Sequence, residues 1–147
     1  MPTHISFDTL LTRVQRAFAL THDLVASLSD QDLGKKIGDL PSNTIRQQLW
    51  CIVGARESYA KAIDNGGWAG FSCSLTQTDA RDAILQALKK SELDFVHIVS
   101  KSELTGMQIE YFLALHEHEI QHHGQLIRYV YANRLDFPQS WNKRYTV

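Results

Sequence analysis

An all-α fold, a four-helix bundle, is predicted by three features of the 147-residue chain. Apolar residues recur with the helical period in four segments of roughly 20 to 30 residues each. No stretch shows the strict alternation of a half-buried strand. The 8 glycines and 3 prolines fall well short of the roughly 18 that average usage would place in a chain of this length. Scarce punctuation favours long uninterrupted helices.

The first stripe runs from Ile5 to Leu28 through Leu10, Val14, Phe18, Leu24 and Val25. A second helix is expected after Pro41, with Ser42 or Asn43 as its N-cap. It carries Ile45, Leu49, Ile52, Val53, Tyr59 and Ile63 and ends at Asn65-Gly66-Gly67, because glycine takes the left-handed conformation that closes a helix. Thr76-Gln77-Thr78-Asp79 has the form of a capping box, ahead of a third stripe of Ala80, Ile84, Leu88, Phe95, Ile98 and Val99. The fourth spans about Thr105 to Asn133. Between the second and third, the loop Asn65 to Ser74 brings Trp68 and Phe71, which either form a lip over one end of the bundle or, as is expected, plug that end of the core. No internal repeat or low-complexity tract divides the chain, so residues 1–147 read as one domain.

With 44% hydrophobic and 21% charged residues the composition is that of a soluble globular protein. The 15 Lys and Arg against 16 Asp and Glu leave a formal net charge of −1, so no general attraction to nucleic acid or to an anionic membrane surface is encoded. No basic region precedes an apolar run at Met1-Pro2-Thr3-His4, and no stretch approaches ~18 continuous apolar residues. A cytoplasmic address is expected. The two cysteines, Cys51 and Cys73, form no CxxC pair, so each thiol is read singly, as a small buried hydrophobe or as a ligand.

Chemistry concentrates in the fourth helix. His116, His118, His122 and His123 crowd one short segment, and His118-Glu119-Ile120-Gln121-His122 is an HExxH arrangement. Composition alone gives roughly 0.013 such matches per chain, so chance explains it poorly. Residues four apart share a helix face, so both imidazoles can reach one divalent ion. On a helical wheel His118 and His122 also share the apolar face with Tyr111, Leu115, Leu126 and Tyr129. Two inward imidazoles need a hydrogen-bond partner or a metal. His116 and His123 sit on the flank and are read as surface or interface histidines.

Catalytic zinc usually keeps three protein ligands and an open position, so a third ligand must come from another helix. Cys51, on the face of the second helix shared with Ala55, Tyr59 and Ala62, is the candidate, since thiolate is a good soft ligand. Glu119 lies about 100° around the helix from His118. It is the candidate general base if the ion serves a hydrolase.

These residues resemble the DinB-like superfamily of metal-binding four-helix bundles. His118-Glu-Ile-Gln-His122-His-Gly-Gln125-Leu is similar to that family's final-helix signature, two histidines four apart followed by Gly-Gln. Leu135-Asp-Phe-Pro138-Gln-Ser-Trp141 is similar to its C-terminal Pro and Trp segment, and Thr44-Ile-Arg-Gln-Gln-Leu-Trp-Cys51-Ile-Val-Gly-Ala to its second-helix pattern. The resemblance implies that His118 and His122 are ligands. Cys51 stands where the family commonly has its first metal-binding histidine, so the site is either Cys-His-His or lacks one ligand. A thiolate there would neutralise one charge of the ion and make it a weaker Lewis acid than a three-histidine site does.

Characterised relatives of that kind include thiol S-transferases and maleylpyruvate isomerases. A metal-dependent transferase is therefore one expectation, with a small-molecule thiol at the open position and an electrophilic cosubstrate. A metal-dependent hydrolase using Glu119 is a second. A non-enzymatic dimeric bundle with structural histidines or a metal-responsive role is the third. Zinc suits Cys and His ligands best, with nickel as the alternative. A homodimer is expected because the fourth helix is apolar well beyond one stripe: Phe112, Ile120, Ile127, Val130, Leu113 and Tyr131 leave a polar arc too narrow for a peripheral helix.

Overall fold

The computed structural model describes residues 4–147, and among these the regular structure is entirely helical. Four long helices, α1 (Phe7–Ser27), α2 (Ile45–Asn65), α3 (Arg81–Val99) and α4 (Gly106–Ala132), are followed by a short α5 (Gln139–Tyr145), with a 3-10 turn at Gln31–Gly34 between α1 and α2. Each long helix coincides with one of the apolar stripes. α2 packs against both α3 and α4, and so does α1. Among the described residues, no helix is long and apolar enough to cross a membrane.

Local chemistry sets the helix ends. The Ser6 side chain accepts the Thr9 amide to open α1. Thr44 with Gln47, and Thr105 with Gln108, form reciprocal capping boxes at the starts of α2 and α4. Each box satisfies two amides that a helix otherwise leaves unpaired. Thr44 therefore replaces the expected Ser42 or Asn43 as the cap. Gly66 at φ 74° closes α2 in the left-handed conformation, as Asn-Gly-Gly predicts. The third helix departs from expectation. Its N-cap residue is Ala80, which has no side-chain acceptor, and the Arg81 amide is taken by Asp30 Oδ1 at 2.8 Å, an acceptor 51 residues earlier in the chain. Thr76 to Asp79 precede the helix instead of capping it.

The core comprises two apolar clusters. One gathers Leu24, Val25, Leu49, Ile52, Leu88, Leu126, Val130 and Trp141. The other gathers Val14, Phe18, Ala55, Ile63, Phe95, Phe112 and Leu115. The buried polar residues Ser91, Glu119, His122 and His123 fall between the two sets on α3 and α4, and Thr21 and Arg56 are joined to Glu119 by hydrogen bonds from α1 and α2. A buried polar layer thus links α1, α2 and α4 at mid-height.

The residues after α4 fold back. Trp141 is fully buried, donates its indole N–H to Leu20 O at 2.6 Å and lies 4.9 Å from the His123 ring. Much of the apolar surplus on α4 is consequently covered within the chain: Phe112 and Val130 are buried, Ile127 packs on the core, and Tyr131 lies against Phe137. The premise from which a homodimer was expected is weakened accordingly. The loop after α2 does not plug a core end either. Trp68 lies against Tyr59 and Phe71 against Trp50, on the outside of α2, and both rings remain exposed. Gly54 permits this, since a Cβ there would stand 2.2 Å from the Phe71 ring.

Candidate metal centre

Cys51 of α2 and His118 and His122 of α4 converge, with one ligand atom from each lying within 4.8 Å of the others. Helical spacing explains the histidine pair: one turn apart, their ring centroids lie 4.5 Å from each other at a tilt of 59°. The contact between α2 and α4 brings in the cysteine, with Sγ 3.6 Å from His118 Nε2. An ion with sulfur at about 2.3 Å and nitrogen at about 2.0–2.1 Å in tetrahedral geometry places those two atoms roughly 3.6 Å apart. The donor set and its spacing fit a divalent ion.

The charges agree with the geometry. Burial, with the neighbouring His118, holds His122 down to about 4, and burial lowers His118 as well. Both rings are thus neutral near pH 7 and offer lone pairs, not repelling cations. Burial pushes the Cys51 thiol up, so without a cation nearby the sulfur keeps its proton.

His122 is oriented by a relay that sequence reading missed. Its Nδ1 donates to Gln48 Oε1 at 2.5 Å. Gln48 Nε2 donates to Asn43 Oδ1 at 3.0 Å, and Asn43 Oδ1 also accepts the Tyr129 hydroxyl. The chain of donors fixes the tautomer and leaves Nε2 of His122 as the free lone pair. His118 has no equivalent, because its Nδ1 is buried without a partner. Loss of such an outer hydrogen bond typically weakens metal binding roughly 10–100-fold. Gln48→Leu is expected to raise the dissociation constant for zinc within that range while leaving the helical circular dichroism intact, as competition with a chromophoric chelator would show.

Glu119 is not brought into this group. It is fully buried and forms a two-pronged ion pair with Arg56, Nη2 to Oε1 at 2.5 Å and Nε to Oε2 at 3.2 Å. The Thr21 hydroxyl donates to Oε1 at 2.6 Å. Burial works to raise this carboxyl, but the Arg56 charge and these hydrogen bonds outweigh it and hold the group below its ordinary value. A carboxylate so committed has little basicity, which weighs against a general-base role. Arg56 completes its own set by donating Nη1 to Leu88 O at 3.0 Å and lying 4.0 Å over the Phe18 ring.

His123 also differs from its sequence reading as a surface or interface residue, being completely buried. Thr21 has a single hydroxyl proton and gives it to Glu119, so the 2.7 Å contact with His123 Nε2 must be an imidazole N–H donating to Thr21. Nδ1 then accepts the Tyr145 hydroxyl at 2.6 Å. Both ring nitrogens are used, so His123 is no ligand. Arg56 carried one signal for this layer: a cation in register with the apolar stripe of α2, four residues after Ile52. The chain matches no protein-family model and no curated protein.

Proposed function

We propose that the chain is a divalent-metal-binding protein of DinB-like four-helix-bundle type, with Cys51, His118 and His122 as ligands, acting as a metal-dependent thiol S-transferase. The observation that carries the metal reading is the convergence of one thiol and two neutral imidazoles within 4.8 Å on two facing helices. Zinc is the ion such a soft, mixed donor set favours, with nickel second. A bound divalent ion supplies the Lewis acidity that converts a coordinated thiol to thiolate. Cys51 contributes a negative charge that moderates that acidity, Gln48 and the residues behind it hold His122 in register, and the partial exposure of Cys51 and His118 leaves a side through which a small thiol can approach. The transferase assignment rests on the resemblance of the α2, α4 and C-terminal segments to that superfamily. The occupied carboxylate of Glu119 favours it over a hydrolase.

Cobalt substitution separates a ligating Cys51 from a spectator. A sulfur-to-metal charge-transfer band in the near ultraviolet is expected, absent in Cys51→Ser, and Cys51→His should preserve binding with the band lost. An unchanged spectrum in Cys51→Ser would remove the cysteine from the site. Homodimerisation is retained within the proposal, with the half-exposed Tyr131 on the contact face. Light scattering should report about twice 16.7 kDa, falling toward one chain in Leu113→Glu/Tyr131→Glu. A monomer up to about 100 μM would mean that the intrachain cover from α5 suffices.

A further inference from the structure

On the opposite flank of α4 from the candidate metal centre, three exposed arginines gather, with Asp8 beside Arg13 and Arg16 in the adjoining groove along α1. Arg13 and Arg16 stand one turn apart on α1, and Arg144 closes from α5. They border a groove of about 330 Å³ with His116, floored by the apolar Ala17, Leu20 and Ile120. Among the described residues, none of the three arginines takes part in an ion pair. The carboxylates whose charges act on His116 are Glu119, which Arg56 holds, and Glu117. Burial and the positive fields of Arg13 and Arg144 act together to lower the Arg16 guanidinium. Like charges lining one groove repel one another and favour an anion among them.

The groove is built on fixed parts. Arg144 lies 5.0 Å over the Tyr145 ring, and the Tyr145 hydroxyl is anchored to buried His123 at 2.6 Å. Trp141 pins the same short helix to α1 through Leu20 O. Guanidinium groups present planar forks that match carboxylate and phosphate oxygens, and the volume is that of a small-ligand pocket. With a formal net charge of −1 and one compact groove in place of a basic stripe, a nucleic-acid backbone is a poor fit. We infer that this groove is a binding site for a small organic oxyanion, with Arg13, Arg16 and Arg144 holding the anionic head and Ala17, Leu20 and Ile120 receiving a short apolar portion.

The site is independent of the metal reading, and the test keeps the two apart. Isothermal titration of metal-free protein with phenyl phosphate and with phthalate would compare phosphate with carboxylate heads on similar apolar bodies. Saturable binding of at least one, with a dissociation constant below about 1 mM, is expected. Arg16→Gln and Arg144→Gln should each weaken it about tenfold or more, with unchanged helical circular dichroism. His122→Ala and Arg128→Gln, the latter an exposed arginine elsewhere on α4, should leave it unmoved. Absence of saturation up to about 10 mM, or equal weakening by Arg128→Gln, would overturn the proposal, as would indifference to both groove variants.

Discussion

Arg56→Met is expected to destabilise the protein by about 3–5 kcal/mol, because it leaves the Glu119 carboxylate buried without its counter-ion. Both members of the pair are almost wholly inaccessible, at 1% and 0%, so water cannot replace the lost guanidinium. Thr21 alone remains to donate to the carboxylate. At roughly 2–4 °C per kcal/mol for a chain of this size, the midpoint of thermal unfolding should fall by about 6–20 °C. The double variant Arg56→Met/Glu119→Leu removes both charges and should recover most of the loss, since an apolar pair of similar volume often matches a buried ion pair in stability. A single-variant loss under about 1 kcal/mol would mean that the carboxylate finds solvent or takes a proton at little cost. The interaction joins α2 to α4, and through Thr21 to α1, so its loss should loosen the layer that carries the candidate ligands.

Zinc is expected to raise the thermal midpoint of the wild-type protein and to do nothing for His122→Ala. Binding to the folded state alone contributes about 2.7 kcal/mol at a ligand concentration one hundred times the dissociation constant, which again corresponds to several degrees. His122 is the ligand whose replacement should matter most, because the Gln48, Asn43 and Tyr129 relay orients it and its Nε2 has no other partner to satisfy. Removing the imidazole itself should weaken binding beyond the roughly 10–100-fold attached to its outer hydrogen bond. Equal stabilisation of wild type and variant by zinc would place the ion elsewhere.

The four long helices were legible because each buries one stripe, and period is a local property of sequence. Thr105 and Gly66 could be read as helix ends for the same reason: capping chemistry reaches only three or four residues. The start of α3 could not, since its first amide is satisfied by Asp30 from a different part of the chain. The metal ligands followed a similar divide. His118 and His122 are related by one helical turn, whereas Cys51 needed the packing of α2 on α4 to be placed beside them. Glu119 shows where motif spacing misleads. HExxH fixes the angle at which the carboxylate leaves the helix, but the occupant of that direction is decided by α2, which supplies Arg56. His123 read as a flank residue because the wheel lacks α5, whose Trp141 and Tyr145 cover it.

The central claim, that Cys51, His118 and His122 together hold a divalent ion, is tested most directly by the metal content of tag-free protein. The protein would be incubated with zinc, or separately with nickel, desalted without chelators and analysed for metal by mass spectrometry. Close to one ion per chain is predicted for the wild type and close to none for His122→Ala. A folded wild-type protein that remains metal-free after exposure to both ions would contradict the account, and the convergence of one thiol and two imidazoles would then be no more than core packing.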